Sequence, residues 1–114
     1  MNRNLYFPND ENGDVLRHMA ESGDNLFIPR AIDFSVVLAN EENARTFAAI
    51  FIDQCFIVRV NRTCSAPELP WDVVVVKIMI LSHSEITRFE EELSQAAEPL
   101  GGRNDGWGCF EQRV

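Results

Sequence analysis

The spacing of apolar and polar residues changes period several times along this chain, and each change marks an element. From Ala31 to Leu38 the side chains alternate: Ile32, Phe34, Val36 and Leu38 on one side, Asp33, Ser35 and Val37 on the other. A period of two is that of a half-buried strand. Before it, Val15, Leu16 and Met19 share one face of a helix over residues 11–22, capped by Asp10 or Asn12. Ser22-Gly23-Asp24-Asn25 ends that helix, with Gly23 suited to a left-handed position. After the strand, Ala44, Phe47, Ala48 and Phe51 recur at helical spacing over 41–53, behind an Asn40 cap. Residues 56–62 read as a second strand, and Pro67 and Pro70 mark the following loop.

The third strand, Trp71 to Leu81, carries the strongest β signal, with valine at 73 through 76. Lys77 divides its faces: Val74, Val76, Ile78 and Ile80 are expected toward the core, leaving Trp71, Val73, Val75, Lys77 and Met79 opposite. A third helix is predicted over 84–98, with Ser82 and Glu85 at capping-box spacing and Ile86, Phe89, Leu93, Ala96 and Ala97 as its apolar stripe. Pro99 and Gly101-Gly102 stop it, and a last strand is expected from about Trp107 to Gln112. The order is one helix followed by β-α-β-β-α-β. This predicts an α+β fold, a ferredoxin-like sandwich with an extra N-terminal helix and a four-stranded antiparallel sheet. Right-handed crossovers place both later helices on one sheet face. The expected organisation is an irregular leader over 1–10 and a single domain over 11–114.

Charge narrows the partners. The net charge is −8, and both halves of the chain are acidic. Nucleic-acid phosphate repels such a chain, so direct RNA or DNA binding is not expected. Solubility or a basic protein partner accounts for the acidity. No apolar run reaches membrane-spanning length and the start lacks a signal-peptide stretch, so a cytoplasmic location is expected. Cys55, Cys64 and Cys109 form no C-x-x-C spacing, which argues against a structural zinc site and for buried reduced thiols.

Three segments carry a resemblance: Asn12-Gly13-Asp14-Val15-Leu16 with Glu21-Ser22-Gly23-Asp24, then Pro29-Arg30-Ala31-Ile32-Asp33-Phe34, then Asn104-Asp105-Gly106-Trp107-Gly108. In this order within one small domain they resemble the RraB family, regulators of ribonuclease E. The resemblance covers most of residues 11–112. It implies a ferredoxin-like fold and a non-catalytic protein that binds and inhibits the endonuclease or a related RNA-processing assembly. Family members similar over this domain carry an extended acidic tail, whereas this sequence stops at Val114.

Candidate contact residues follow from the pattern. The expected outer sheet face bears Trp71, Val73, Val75 and Met79, unusually apolar for an open antiparallel sheet. The leader residues Leu5, Tyr6 and Phe7, a second copy in a homodimer, or a partner would cover it. Arg59 and Arg62 beside it are expected to form a local ion pair with Asp33 or to meet another acidic group. Glu90 and Glu91, in the run Glu90-Glu91-Glu92, form a solvated helix face or an acidic contact for a basic partner. Trp107 is expected to anchor the last strand, with Asp105 bonding its own backbone and Gly106 at positive φ; its alternative role is an interface anchor. His18 and His83 lack metal-ligand spacing, no phosphate-binding or nucleophile motif occurs, and a Cys109–His83 pair is a weak enzyme reading. No catalytic residue, metal or cofactor is expected. The alternatives are a self-associating structural domain and a small enzyme.

Overall fold

The structure is a computed structural model that describes residues 7–64, 67–110 and 112. Its elements are α1 (Glu11–Glu21), β1 (Arg30–Leu38), α2 (Glu41–Asp53), β2 (Ile57–Arg62), β3 (Trp71–Met79), α3 (His83–Ala97) and β4 (Arg103–Gly108). A single 3-10 turn, Glu98–Leu100, joins α3 to β4. Asp10, Asn40 and Ser82 cap the three helices through their side-chain oxygens, each accepting from the backbone three residues on. These caps satisfy N–H groups that helix starts leave unpaired. Gly23 sits at φ 98° past the end of α1, as the sequence predicts.

The sheet order is β2-β3-β1-β4, antiparallel throughout. This is the ferredoxin-like arrangement: each β-α-β half is split by a strand of the other, and α2 and α3 lie on one face. Between helices and sheet lies a phenylalanine core. Phe34 and Phe89 meet edge to face at 4.8 Å, and Phe47, Phe51 and Phe56 extend the cluster. Burying each such ring contributes roughly 1.5–3 kcal/mol.

The faces of β3 are the reverse of the sequence expectation. Val73 and Val75 are fully buried in the core and Met79 nearly so, with Trp71 packed at its margin. Val74, Val76, Ile78 and Ile80 turn to the open side. Register is the physical reason. Directly paired residues share a face, and β3 pairs with β1 so that Ile32 meets Lys77, Phe34 meets Val75, Val36 meets Val73 and Leu38 meets Trp71. Because the even-numbered residues of β1 face the helices, the odd-numbered residues of β3 must do so too. Lys77 is tolerated on that side because its ammonium lies 4.5 Å above the Phe89 ring centre.

Three further expectations are corrected. β4 begins at Arg103 rather than near Trp107: the glycine-rich run is itself the strand, with a register shift opposite Phe34–Val36. Gly106 takes φ 102° at this irregularity, and Asn104 accepts its N–H at 2.9 Å. Cys55 and Cys64 are exposed, not buried. Cys55 takes the left-handed position after α2, which turns its side chain outward, and Cys64 lies in the β2–β3 loop. Phe7 packs against the core beside α1 and its carbonyl accepts from Arg17, so it does not cover the open sheet face. Leu5 and Tyr6 lie outside the described residues.

Candidate functional site

The segments that carry the sequence resemblance converge in space at two places. At the first, α1 crosses the start of α3 and the β4 strand. Asn12 stands in α1 with its amide between three partners. Its Oδ1 accepts from the Trp107 indole N–H at 2.9 Å, and its Nδ2 donates to Glu90 Oε1 at 2.8 Å and to Thr87 Oγ1 at 3.2 Å. Indole N–H only donates and carboxylate only accepts, so this pair of neighbours fixes which way the amide points. Gly13 follows because the chain doubles back tightly there: a Cβ would collide with the Pro8 carbonyl.

Asn12 forms one wall of a cleft of about 540 Å³, with Asp10, Glu11, Val15, Thr87, Glu90, Asn104, Asp105, Gly106 and Trp107 around it. Four of these residues are carboxylates. A shallower depression continues along α3 past Glu90 to Glu91, Ser94 and Gln95. On the rim, His83 Nε2 lies 2.9 Å from Asp10, which also accepts the Gly13 N–H at 2.7 Å. That backbone bond, then the His83 contact, hold the Asp10 carboxyl below its ordinary range. The cleft is therefore acidic, with an aromatic wall and a rigid amide. Such a surface suits an arginine or lysine side chain of a partner.

The second place is a clasp. Arg30 and Asp24 form a buried bidentate pair, both bonds at 2.9 Å, with side chains 3% and 0% exposed. Arg30 also donates to the carbonyls of Asn25, Ile28 and Phe110, and Asn25 N–H reaches Gln112 O at 2.8 Å. The pair thus ties the segment after β4 to the loop after α1. Cys109 lies beside this pair, and burial pushes its thiol up from the ordinary range, which disfavours a thiolate nucleophile. His83 contacts Asp10, so the two residues of the weak enzyme reading belong to different contact sets.

Of the residues singled out in the sequence, Glu90 and Trp107 meet in the cleft and Glu91 lies on the adjoining surface. Trp71, Val73, Val75 and Met79 are in or beside the core instead; Arg62 stacks 5.0 Å above the Trp71 ring. The expected Arg59–Asp33 pair is present at 3.0 Å. Sequence reasoning missed Asp10, Glu11, Asn12 and Asp105 as site residues. The available signal was that residues 12–16 and 104–108 both belong to the resembling segments.

Comparison with known proteins identifies the family. No curated protein matches the chain. The family model described as regulator of ribonuclease activity B matches residues 9–109, from the α1 cap to the thiol beside the clasp. No helix among the described residues is long and apolar enough to cross a membrane. The chain belongs to the RraB family of non-catalytic ribonuclease regulators, and membership implies interaction with ribonuclease E.

Proposed function

We propose that this protein acts in the cytoplasm by binding ribonuclease E and lowering RNA cleavage, and that the acidic cleft between α1, α3 and β4 receives a basic segment of the enzyme. The observation that carries this reading is the set of four carboxylates, Asp10, Glu11, Glu90 and Asp105, gathered around Trp107. A basic partner segment gains charge-assisted contacts there, and the Trp107 ring offers a face for a guanidinium. The net charge of −8 steers a basic partner in and keeps RNA out, so inhibition runs through the enzyme rather than its substrate.

Cleavage of a model RNA by purified ribonuclease E, followed as this protein is added, tests the proposal. The rate is expected to fall to a plateau. The variant Glu11→Lys/Glu91→Lys changes only exposed side chains. It is expected to need roughly tenfold more protein for the same effect. Unchanged cleavage with the wild-type protein would sink the reading; equal potency of the variant would remove the cleft from it.

A further inference from the structure

The hydrogen-bonding capacity of the cleft is spent unevenly. The indole N–H is the only donor of the Trp107 side chain, and Asn12 Oδ1 takes it at 2.9 Å. Both amide hydrogens of Asn12 are used as well, on Glu90 Oε1 at 2.8 Å and Thr87 Oγ1 at 3.2 Å. Asn104 Oδ1 accepts the Gly106 N–H at 2.9 Å. The Asp10 carboxylate serves the Gly13 N–H and His83. Glu90 is different. It is half-buried, and no ion pair among the described residues includes it. Its Oε1 is fixed by Asn12, and its Oε2 takes no hydrogen bond among the described residues.

A partner therefore meets an open carboxylate oxygen and an indole whose donor is already taken, both lining one cleft. An anionic group would find the indole and Asn12 donors spent, so a phosphate or carboxylate ligand fits poorly. A cation fits, and the two basic side chains are not equivalent here. Lysine brings a compact, strongly hydrated ammonium with no flat face. A guanidinium is planar and more weakly hydrated, so it can lie on the indole ring while an edge N–H donates to Glu90. Asn12 is the residue that touches both groups. A carboxylate at position 12 would still accept from the indole but could not donate to Glu90. We infer that the cleft receives an arginine side chain of the partner rather than a lysine, and that Asn12 is the positioning residue that sets Glu90 and Trp107 for it. This rests on the reading of the cleft as the ribonuclease contact and names the side chain that the contact takes.

Two capped tripeptides, acetyl-Gly-Arg-Gly-amide and acetyl-Gly-Lys-Gly-amide, test it without the enzyme. Each is titrated at low salt into the isotope-labelled full chain while NMR follows the indole N–H signals of Trp71 and Trp107. The arginine peptide is expected to shift the Trp107 signal to saturation, and the lysine peptide to bind roughly fivefold or more weakly. Glu90→Gln is expected to bring the arginine peptide down to the lysine level. Asn12→Asp separates position from charge. It adds a negative charge, so a cleft working by charge alone would bind the arginine peptide more tightly. The inference predicts that this variant, folded by circular dichroism, loses the preference for arginine instead. Equal affinity for the two peptides, no saturable shift with either, or a preference that survives Glu90→Gln overturns the inference. A preference kept by Asn12→Asp overturns the positioning role. An arginine preference in a protein that leaves ribonuclease E cleavage unchanged keeps this inference and sinks the proposed function; equal peptide affinity in a protein that lowers cleavage does the reverse.

Discussion

Single side chains explain why short, weak-looking motifs recur in one order along this chain. Asn12 and Trp107 are 95 residues apart in sequence and joined by one hydrogen bond. Replacing Trp107 by Phe keeps an aromatic side chain but removes the donor and part of the indole's packing, leaving Asn12 Oδ1 without this bond. The expected cost is about 1–3 kcal/mol in urea unfolding. A change well below that would mean the bond is not holding α1 against β4.

Asp72 behaves differently. Burial raises its pKa, with the nearby Asp105 charge adding to the rise and Ser35 partly offsetting it. Its Oδ1 has no hydrogen-bond partner among the described residues. A carboxyl whose folded pKa is raised costs nothing below its unfolded value, near 3.8, where both states are protonated. The cost grows as pH rises through that value and is complete above the folded pKa. Asp72→Asn is therefore expected to raise the thermal midpoint at neutral pH, with the gain vanishing below about pH 4. Asp10 has the opposite sign: its lowered pKa contributes stability above 3.8 that is lost as pH falls through the folded value. The cap role of Asp10 was legible locally, whereas the environments of Asn12 and Asp72 were not, because their partners lie far away in sequence.

At the scale of elements, most of the fold was legible because local rules suffice for it. Periodicity and caps locate all three helices to within a residue or so, and alternation locates β1. The two element-level errors have different causes. The inward face of β3 depends on its register with β1, and a run of four valines carries no alternation to reveal it. The start of β4 was hidden because glycine and asparagine usually mark turns, whereas here they build an irregular edge strand. The turn before β4 is tightly fitted. A Cβ on Gly102 would come within 2.9 Å of both Leu38 Cγ and the Val37 carbonyl oxygen. Gly102→Ala is expected to destabilise by about 1–3 kcal/mol, read by urea unfolding, as β4 is forced away from β1. An unchanged midpoint would show that the strand end yields freely.

The whole molecule separates its surfaces by layer. The helix side carries the acidic cleft, and the open sheet face carries the exposed Ile57 and Ile78. The acidic balance was legible from composition, but its concentration at one cleft was not, since Asp10, Glu11, Glu90 and Asp105 come from three separate stretches of chain. Titration calorimetry of purified ribonuclease E with the wild-type protein and with Glu11→Lys/Glu91→Lys, at low and high salt, tests the central claim most directly. The wild type is expected to bind, more weakly as salt rises, and the variant to bind at least about tenfold more weakly at low salt, with the two converging at high salt. Equal affinity of the two proteins at low salt would contradict the account.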